Sequence, residues 1–328
     1  MSEEKSLKKT YLYALFFVIV ILYLGYYISR NSEQFSQLAS VSPGYLAVVA
    51  LGSLAGIFVN GLFMKVILVP YKKDIQKSES FFVSLISTMG NYFLPMGTGT
   101  GIKAVYLKRK FQLNYSDFIS TLSGNYIIVF LINAGLGCLA VLMLRDQAPL
   151  SQTRGLLLVL GGIFIGMIVL ATYGFPRVLL RLFSRATFLR KLTSAIERVL
   201  IGWNKLTEDK SLIIKLILLT LLNYAITVMI TLTALLALDL PINLWVLFLY
   251  TSLASLSLLL NVTPGSIGVR EAMFIIVSAT LGLSVADILS ISIITNGTLF
   301  FVLTVSWLLF QIPWVKRRFV PKEVATLD

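Results

Sequence analysis

An all-α, polytopic membrane protein is the fold class this sequence predicts, and three observations predict it. Hydrophobic residues make up 57% of the chain and charged residues only 13%, against roughly 25% charged in a soluble domain. The mean hydropathy is +0.86. The apolar residues also gather into segments of about 20, the length a helix needs to cross the hydrocarbon core of a bilayer. These segments use up nearly all of the 328 residues, so a soluble catalytic domain of ordinary size has no room. One cysteine, Cys138, excludes an internal disulfide, and the absence of histidine removes the commonest general base and metal ligand. The expectation is a non-enzyme without cofactor or metal.

Taken in order, Lys5, Lys8 and Lys9 precede an apolar run over 11–28. The run is long and aromatic and has no small-residue cleavage site behind it, which makes it a retained signal anchor and first span. Segment 45–69 is the second span, with Lys65 near its end able to snorkel to the surface. An apolar run over 81–94 then dissolves into the stretch Leu94-Pro95-Met96-Gly97-Thr98-Gly99-Thr100-Gly101, followed by Lys103, Lys108, Arg109 and Lys110. Segments 117–144 and 155–173 are spans. Over 176–210 the chain turns basic, and Arg177, Arg181 and Arg185 recur every four residues, the spacing of one face of a helix lying on an anionic membrane surface. Segment 212–238 is a span. Segment 244–262 stops at Asn261-Val262-Thr263-Pro264-Gly265-Ser266-Ile267-Gly268, after which Arg270 and Glu271 open a short apolar run to 283. Segment 287–312 is the last span, and Lys316, Arg317, Arg318 and Lys322 follow it.

Lys and Arg in short loops stay cytoplasmic. The N-terminus, 72–77, 103–110, 176–210 and the C-terminus are all basic, whereas the loops near 30–44, 145–154, 239–243 and 284–286 hold only Arg30, Arg145 and Arg154. Both flanks of 81–102 therefore lie inside and both flanks of 244–283 outside, so each segment enters and returns on one side as a re-entrant hairpin. The architecture expected is about six full spans plus two hairpins, eight apolar segments in one membrane domain, with both termini inside. Its halves, 1–150 and 151–328, form an inverted repeat. Secondary transporters are often built this way, with Pro/Gly-interrupted segments at matching positions marking the binding site. Asn91, Pro95, Gly101, Lys103 and Ala104 answer Asn261, Pro264, Gly268, Arg270 and Ala272.

Unwound backbone at membrane depth is tolerated only where protein buries it or a polar cavity receives it. Both breaks therefore point to an internal cavity, with packing kinks as the plainer alternative. Gly97, Gly99, Gly101, Gly265 and Gly268 let the backbone turn, and helices restarting near Ile102 and Val269 direct free amides at the cavity, where an anion is the natural guest. Asn91 and Asn261, each ahead of a break, are candidates to cap it or touch a ligand. Arg270 and Glu271 are the only charges between Asp239 and Asp287. One reading pairs Glu271 with Lys103 or another basic residue of the first hairpin and leaves Arg270 as a bidentate fork for a phosphate. The other makes the two an interfacial anchor. Asn60, Asn125, Asn133, Asn223 and Asn296 lie inside spans, where interhelical hydrogen bonding is the default role; Asn125, Lys108 and Arg109 are secondary site candidates. The glycine stretch is no nucleotide loop, because Gly-Lys-Ser/Thr contiguity is missing.

The GTGTGIKAVYLKRKF stretch, the apolar span after it and the later TPGSIGVREA stretch together resemble the lysylphosphatidylglycerol synthase transmembrane-region family, also described as flippase-like membrane proteins. The resemblance covers essentially the whole chain. It is similar to the membrane half of the bacterial multiple peptide resistance factor, where this region is implicated in moving aminoacylated phosphatidylglycerol between leaflets; other relatives are linked to polyprenyl-phosphate sugar metabolism. The aminoacyl-transferase domain of bifunctional members has no counterpart here, so lipid synthesis is not expected. Where many members carry an acid and an arginine in the first motif, this chain has Thr100 and Lys103. The second motif keeps Gly268, Arg270 and Glu271. The resemblance implies a lipid translocase in the cell membrane of a prokaryote, moving a phospholipid or polyprenyl-phosphate-type lipid with an anionic headgroup between leaflets. Its expected partners are membrane lipids with an anionic headgroup, a second copy of the chain or a lipid-synthesis enzyme, and no nucleic acid. A membrane enzyme or subunit acting on polyprenyl-phosphate sugars and an ion or small-solute transporter are the alternatives.

Overall fold

The computed structural model describes residues 38, 40–93, 98–173, 187–257, 263–310 and 312, with backbone only for 187–196 and 264. Every regular element among them is helical. Helix α1 (Pro43–Leu68) continues through a 3-10 turn (Val69–Tyr71) and is followed by α2 (Lys77–Phe93), α3 (Thr98–Phe111), α4 (Tyr115–Leu144) and α5 (Leu150–Tyr173). Then come α6 (Thr187–Thr207), α7 (Lys210–Ala237), α8 (Leu244–Leu256), a 3-10 turn (Pro264–Ser266), α9 (Val269–Ile276), α10 (Ser278–Leu281) and α11 (Val285–Phe310). Five helices are long and apolar enough to cross a membrane: α1 with its 3-10 extension, α4, α5, α7 and α11. They run from 24 to 30 residues, roughly 36–45 Å at the helical rise, more than a hydrocarbon core of about 30 Å requires. These are the expected spans, shifted by a few residues at their ends; the expected first span, 11–28, lies outside the described residues.

Helix ends follow capping chemistry. Ser42 caps α1 ahead of Pro43 and accepts the Gly44 N–H, Asp209 caps α7 through Ser211 N at 2.8 Å, and Asn243 caps α8 through Trp245 N at 2.9 Å. At the start of α11, Ser284 and Asp287 satisfy each other's backbone amides, at 2.8 and 3.1 Å. Each side chain supplies an acceptor to an amide with no partner inside its helix. The outward surfaces are apolar: on α5 only Thr153 and Leu160 are buried, while Leu158 is 78% exposed and Ile165 63%. Such a face suits lipid, where a water-soluble protein would hide it.

Close helix contacts rest on glycine. A Cβ on Gly202 of α6 would stand 1.7 Å from Ser120 O of α4, and one on Gly124 of α4 2.5 Å from Trp203 N. The two backbones therefore touch, as small residues permit where lipid supplies no hydrophobic drive between helices. Trp203 adds a hydrogen bond to Ala171 O of α5 at 3.0 Å, and Lys205 stacks over the Tyr71 ring at 3.8 Å. These contacts bring the C-terminal ends of α1, α5 and α6 together with the N-terminal end of α4, at the basic end of the bundle. Arg177, Arg181 and Arg185 lie outside the described residues. Lys65 reaches Asp74 Oδ1 at 2.6 Å, a contact that holds the Asp74 carboxyl below its ordinary value of 3.8.

Candidate functional site

Helices α2 and α3 pack against each other as a hairpin. Its outer ends meet at the basic end, where the Glu79 carboxylate accepts both the Tyr106 hydroxyl and the Lys110 ammonium. Its inner end is built on two glycines and an asparagine. A Cβ on Gly99 would lie 1.9 Å from Ser87 O, and one on Gly90 3.3 Å from the Gly99 Cα, so the two backbones leave no space for a side chain. Asn91 Oδ1 accepts the Gly99 N–H at 2.9 Å across the break, the capping role its position suggested. Helix α3 begins at Thr98, earlier than the expected restart near Ile102, and Gly99 and Gly101 sit inside its first turn. Gly99 is there for close packing; around Gly101 no heavy atom lies within 4 Å of a Cβ position. Pro95 and Gly97 lie outside the described residues.

The second hairpin joins α8 to α9 and α10 and opens at the other end of the bundle. There Asn243 approaches Gln147 at 3.5 Å, and Gln152, at the start of α5, bonds Thr280 at 3.0 Å and Ile276 O at 3.2 Å. The Tyr250 and Phe274 rings stack at 3.9 Å between its arms. Pro264 opens the 3-10 turn, Gly265 takes a left-handed φ of 61° and Gly268 one of 85°, conformations that cost glycine least. Helix α9 restarts at Val269, as expected. Asn261 lies outside the described residues.

The two breaks meet. A Cβ on Gly265 would stand 2.8 Å from the Tyr92 ring, and Tyr92, at the tip of the first hairpin, donates to Asn296 Oδ1 at 3.3 Å. Asn296, halfway along α11, also accepts from Arg270 and donates to Glu271 Oε1 at 3.3 Å. Glu271 accepts the Gly268 N–H at 2.5 Å and stands 3.8 Å from Arg270 Nε. The pairing of Glu271 with Lys103 is thereby corrected. A carboxylate at the third position of a helix bends back to cap the amide that begins it, and that turn carries Glu271 to its neighbour Arg270. Nor are all the amides at the two breaks free, since Asn91 accepts the Gly99 N–H and Glu271 the Gly268 N–H.

Lys103 lines a cavity of about 230 Å³. Amides surround it: Asn60 from α1, Asn91 from α2, Asn125 and Asn133 from α4, and Asn223 from α7. Among the described residues Lys103 is the sole charged one in this lining, and it forms no ion pair with any of them. An ammonium inside a protein is costly where no counter-charge compensates it. Neither Lys108 nor Arg109 lines the cavity; both are exposed at the outer end of α3, and Lys108 stacks over Tyr115 at 4.5 Å. Asn60, Thr88 and Asn223 also line a second cavity of about 240 Å³ that reaches Tyr92, Tyr250 and Arg270. These three side chains form the partition between a lysine cavity and an arginine cavity.

Sequence reasoning assigned Asn60, Asn133 and Asn223 to interhelical bonding. Asn133 instead bonds Val129 O one turn back on its own helix, at 2.7 Å, and all three face the cavity. It also missed Tyr92 and Thr88. Tyr92 directly follows Asn91 at the break, the one signal that could have marked it.

Long lipid-facing helices around polar cavities define the class: a multi-pass helical membrane protein with internal space for a small polar group. Residues 11–306 match the family described as Lysylphosphatidylglycerol synthase TM region, and the chain belongs to that family. No curated protein and no solved structure matches the chain.

Proposed function

We propose that the protein is a lipid translocase of the cell membrane of a prokaryote, passing an anionic headgroup through the paired cavities while the acyl chains stay in the bilayer. The observation that carries this reading is Lys103, a cation with no carboxylate beside it among the described residues, in a cavity lined by amides and hydroxyls together with apolar side chains. The two hairpins re-enter the membrane from opposite faces, the first from the cytoplasm. The halves of the chain are inverted repeats that rock about the Tyr92–Gly265 contact. The substrate set is Asn91, Gly99, Gly101 and Lys103 from the first break with Gly265, Gly268, Arg270 and Glu271 from the second. Arg270 and Lys103 each offer a phosphate charge-assisted hydrogen bonds, and no covalent bond of the lipid changes.

Reconstitution with fluorescent lipids of different headgroups tests this. Anionic lipids should change leaflet in protein-containing vesicles, and Arg270→Lys should slow them about tenfold, because an ammonium cannot hold Asn296 and a phosphate oxygen in one plane. Uptake of a soluble solute with no lipid movement would replace the reading with a solute transporter.

A further inference from the structure

The lysine cavity carries more information than a positive charge. Asn125 and Asn133, 5% and 2% exposed, both line it, and the Oδ1 atom of each is buried with no hydrogen-bond partner. An unsatisfied amide oxygen inside a protein is costly and rare, and the usual account of one is a ligand or water not yet in place. A carbonyl oxygen can only accept, so what completes it must donate. A phosphate diester offers acceptors alone, which leaves both oxygens to a part of the ligand beyond the phosphate. Two kinds of donor fit that place, a hydroxyl and an ammonium. The ammonium would enter a cavity that already holds Lys103 and, among the described residues, has no carboxylate in its lining, so it would add like-charge repulsion to the cost of leaving water. A hydroxyl carries neither penalty.

From this we infer that Asn125 and Asn133 read hydroxyl groups, and that the cavity takes a phosphodiester whose outer part is an uncharged polyol, with the phosphate at Lys103. Aminoacylated headgroups, which add an ammonium, are the disfavoured class. The two asparagines are eight positions apart on α4, roughly 12 Å along the helix. A glycerol-sized headgroup is too short to bond both at once, so it pairs with them in turn as it moves along α4. This inference names the headgroup class for the translocase reading above and rests on it for the source of the ligand.

The test compares two lipids that differ only in the polyol. Phosphatidylglycerol and phosphatidylmethanol carry the same single charge and the same diester; only the first has a diol. Binding of short-chain forms to the intact protein in detergent should favour phosphatidylglycerol about tenfold, the scale of one buried acceptor being satisfied. Lysyl-phosphatidylglycerol should bind more weakly than phosphatidylglycerol. In Asn125→Leu the preference for the diol should shrink toward one, and Asn133→Leu serves as a second variant where the first does not fold. Equal binding of the two diesters by the wild-type protein would overturn the inference without recourse to any variant, as would tighter binding of the lysyl ester. Glycerol 1-phosphate serves as the soluble arm. If it competes as well as phosphatidylglycerol while no lipid changes leaflet in vesicles, the hydroxyl-reading cavity stands and the lipid translocase reading falls.

Discussion

The first hairpin, α2–α3, and the second, α8 to α10, each carry one cation inward, and they treat it in opposite ways. Arg270 in the second is tied down: Asn296 accepts from it, Glu271 lies 3.8 Å away, and Glu271 in turn caps the helix that bears both. Lys103 in the first has no such partner among the described residues and lines a cavity of neutral polar groups. The first hairpin keeps its carboxylate, Glu79, at its outer end with Tyr106 and Lys110, while the second keeps Glu271 at its inner end. The position of the acid decides whether a cation inside the bundle is compensated by the protein itself.

The largest effect expected from breaking this comparison comes from the glycine at the inner end of the first hairpin. Gly99→Val sets side-chain carbon against Ser87 O, and the hairpin cannot close without moving a backbone; destabilisation of about 3 kcal/mol or more should appear as a lost thermal transition in detergent. Gly101→Ala, with open space around its Cβ position, should shift stability by no more than about 0.5 kcal/mol.

Next in size are the two charges themselves. Glu271→Gln leaves Arg270 without its counter-charge and should cost about 3 kcal/mol in chemical unfolding. Lys103→Gln should leave stability unchanged or slightly raised, because it removes an uncompensated ammonium, yet it should slow anionic-lipid flux by about tenfold or more. Equal destabilisation by the two substitutions would erase the distinction drawn between the hairpins. A smaller loss than that of Glu271→Gln is expected for Tyr92→Phe, which keeps the ring against Gly265 and loses the bond to Asn296. Its cost should be about 1 kcal/mol, and a double-mutant cycle with Asn296→Ala should return most of that as coupling.

How much of this was legible before the fold was known varies with the kind of interaction. The five spans among the described residues could be read because each is one uninterrupted apolar stretch, a local property, and the structure moved their ends by only a few residues. Asn91 was recognisable as a cap from its place ahead of the break. The partner of Glu271 was misjudged because adjacent residues on an ideal helix point apart, whereas here the carboxylate reaches back to Gly268 at the helix start and only there comes near Arg270. Tyr92 and Thr88 were invisible as site residues because a tyrosine or threonine in an apolar run looks the same facing lipid or facing a cavity.

By itself the sequence determined that this is a multi-pass helical membrane protein with two breaks of matching composition, since hydropathy and Gly/Pro punctuation are written along the chain. Only the tertiary structure decided that the breaks touch through Tyr92 and Gly265, that Glu271 serves Arg270 and its own helix, and that Lys103 stands among asparagines with no acid beside it among the described residues. The physical reason is range. Crossing a bilayer depends on about 20 neighbouring residues, but whether a charge is compensated depends on atoms within about 4 Å, and for Arg270 one of those partners lies 26 positions away in the chain.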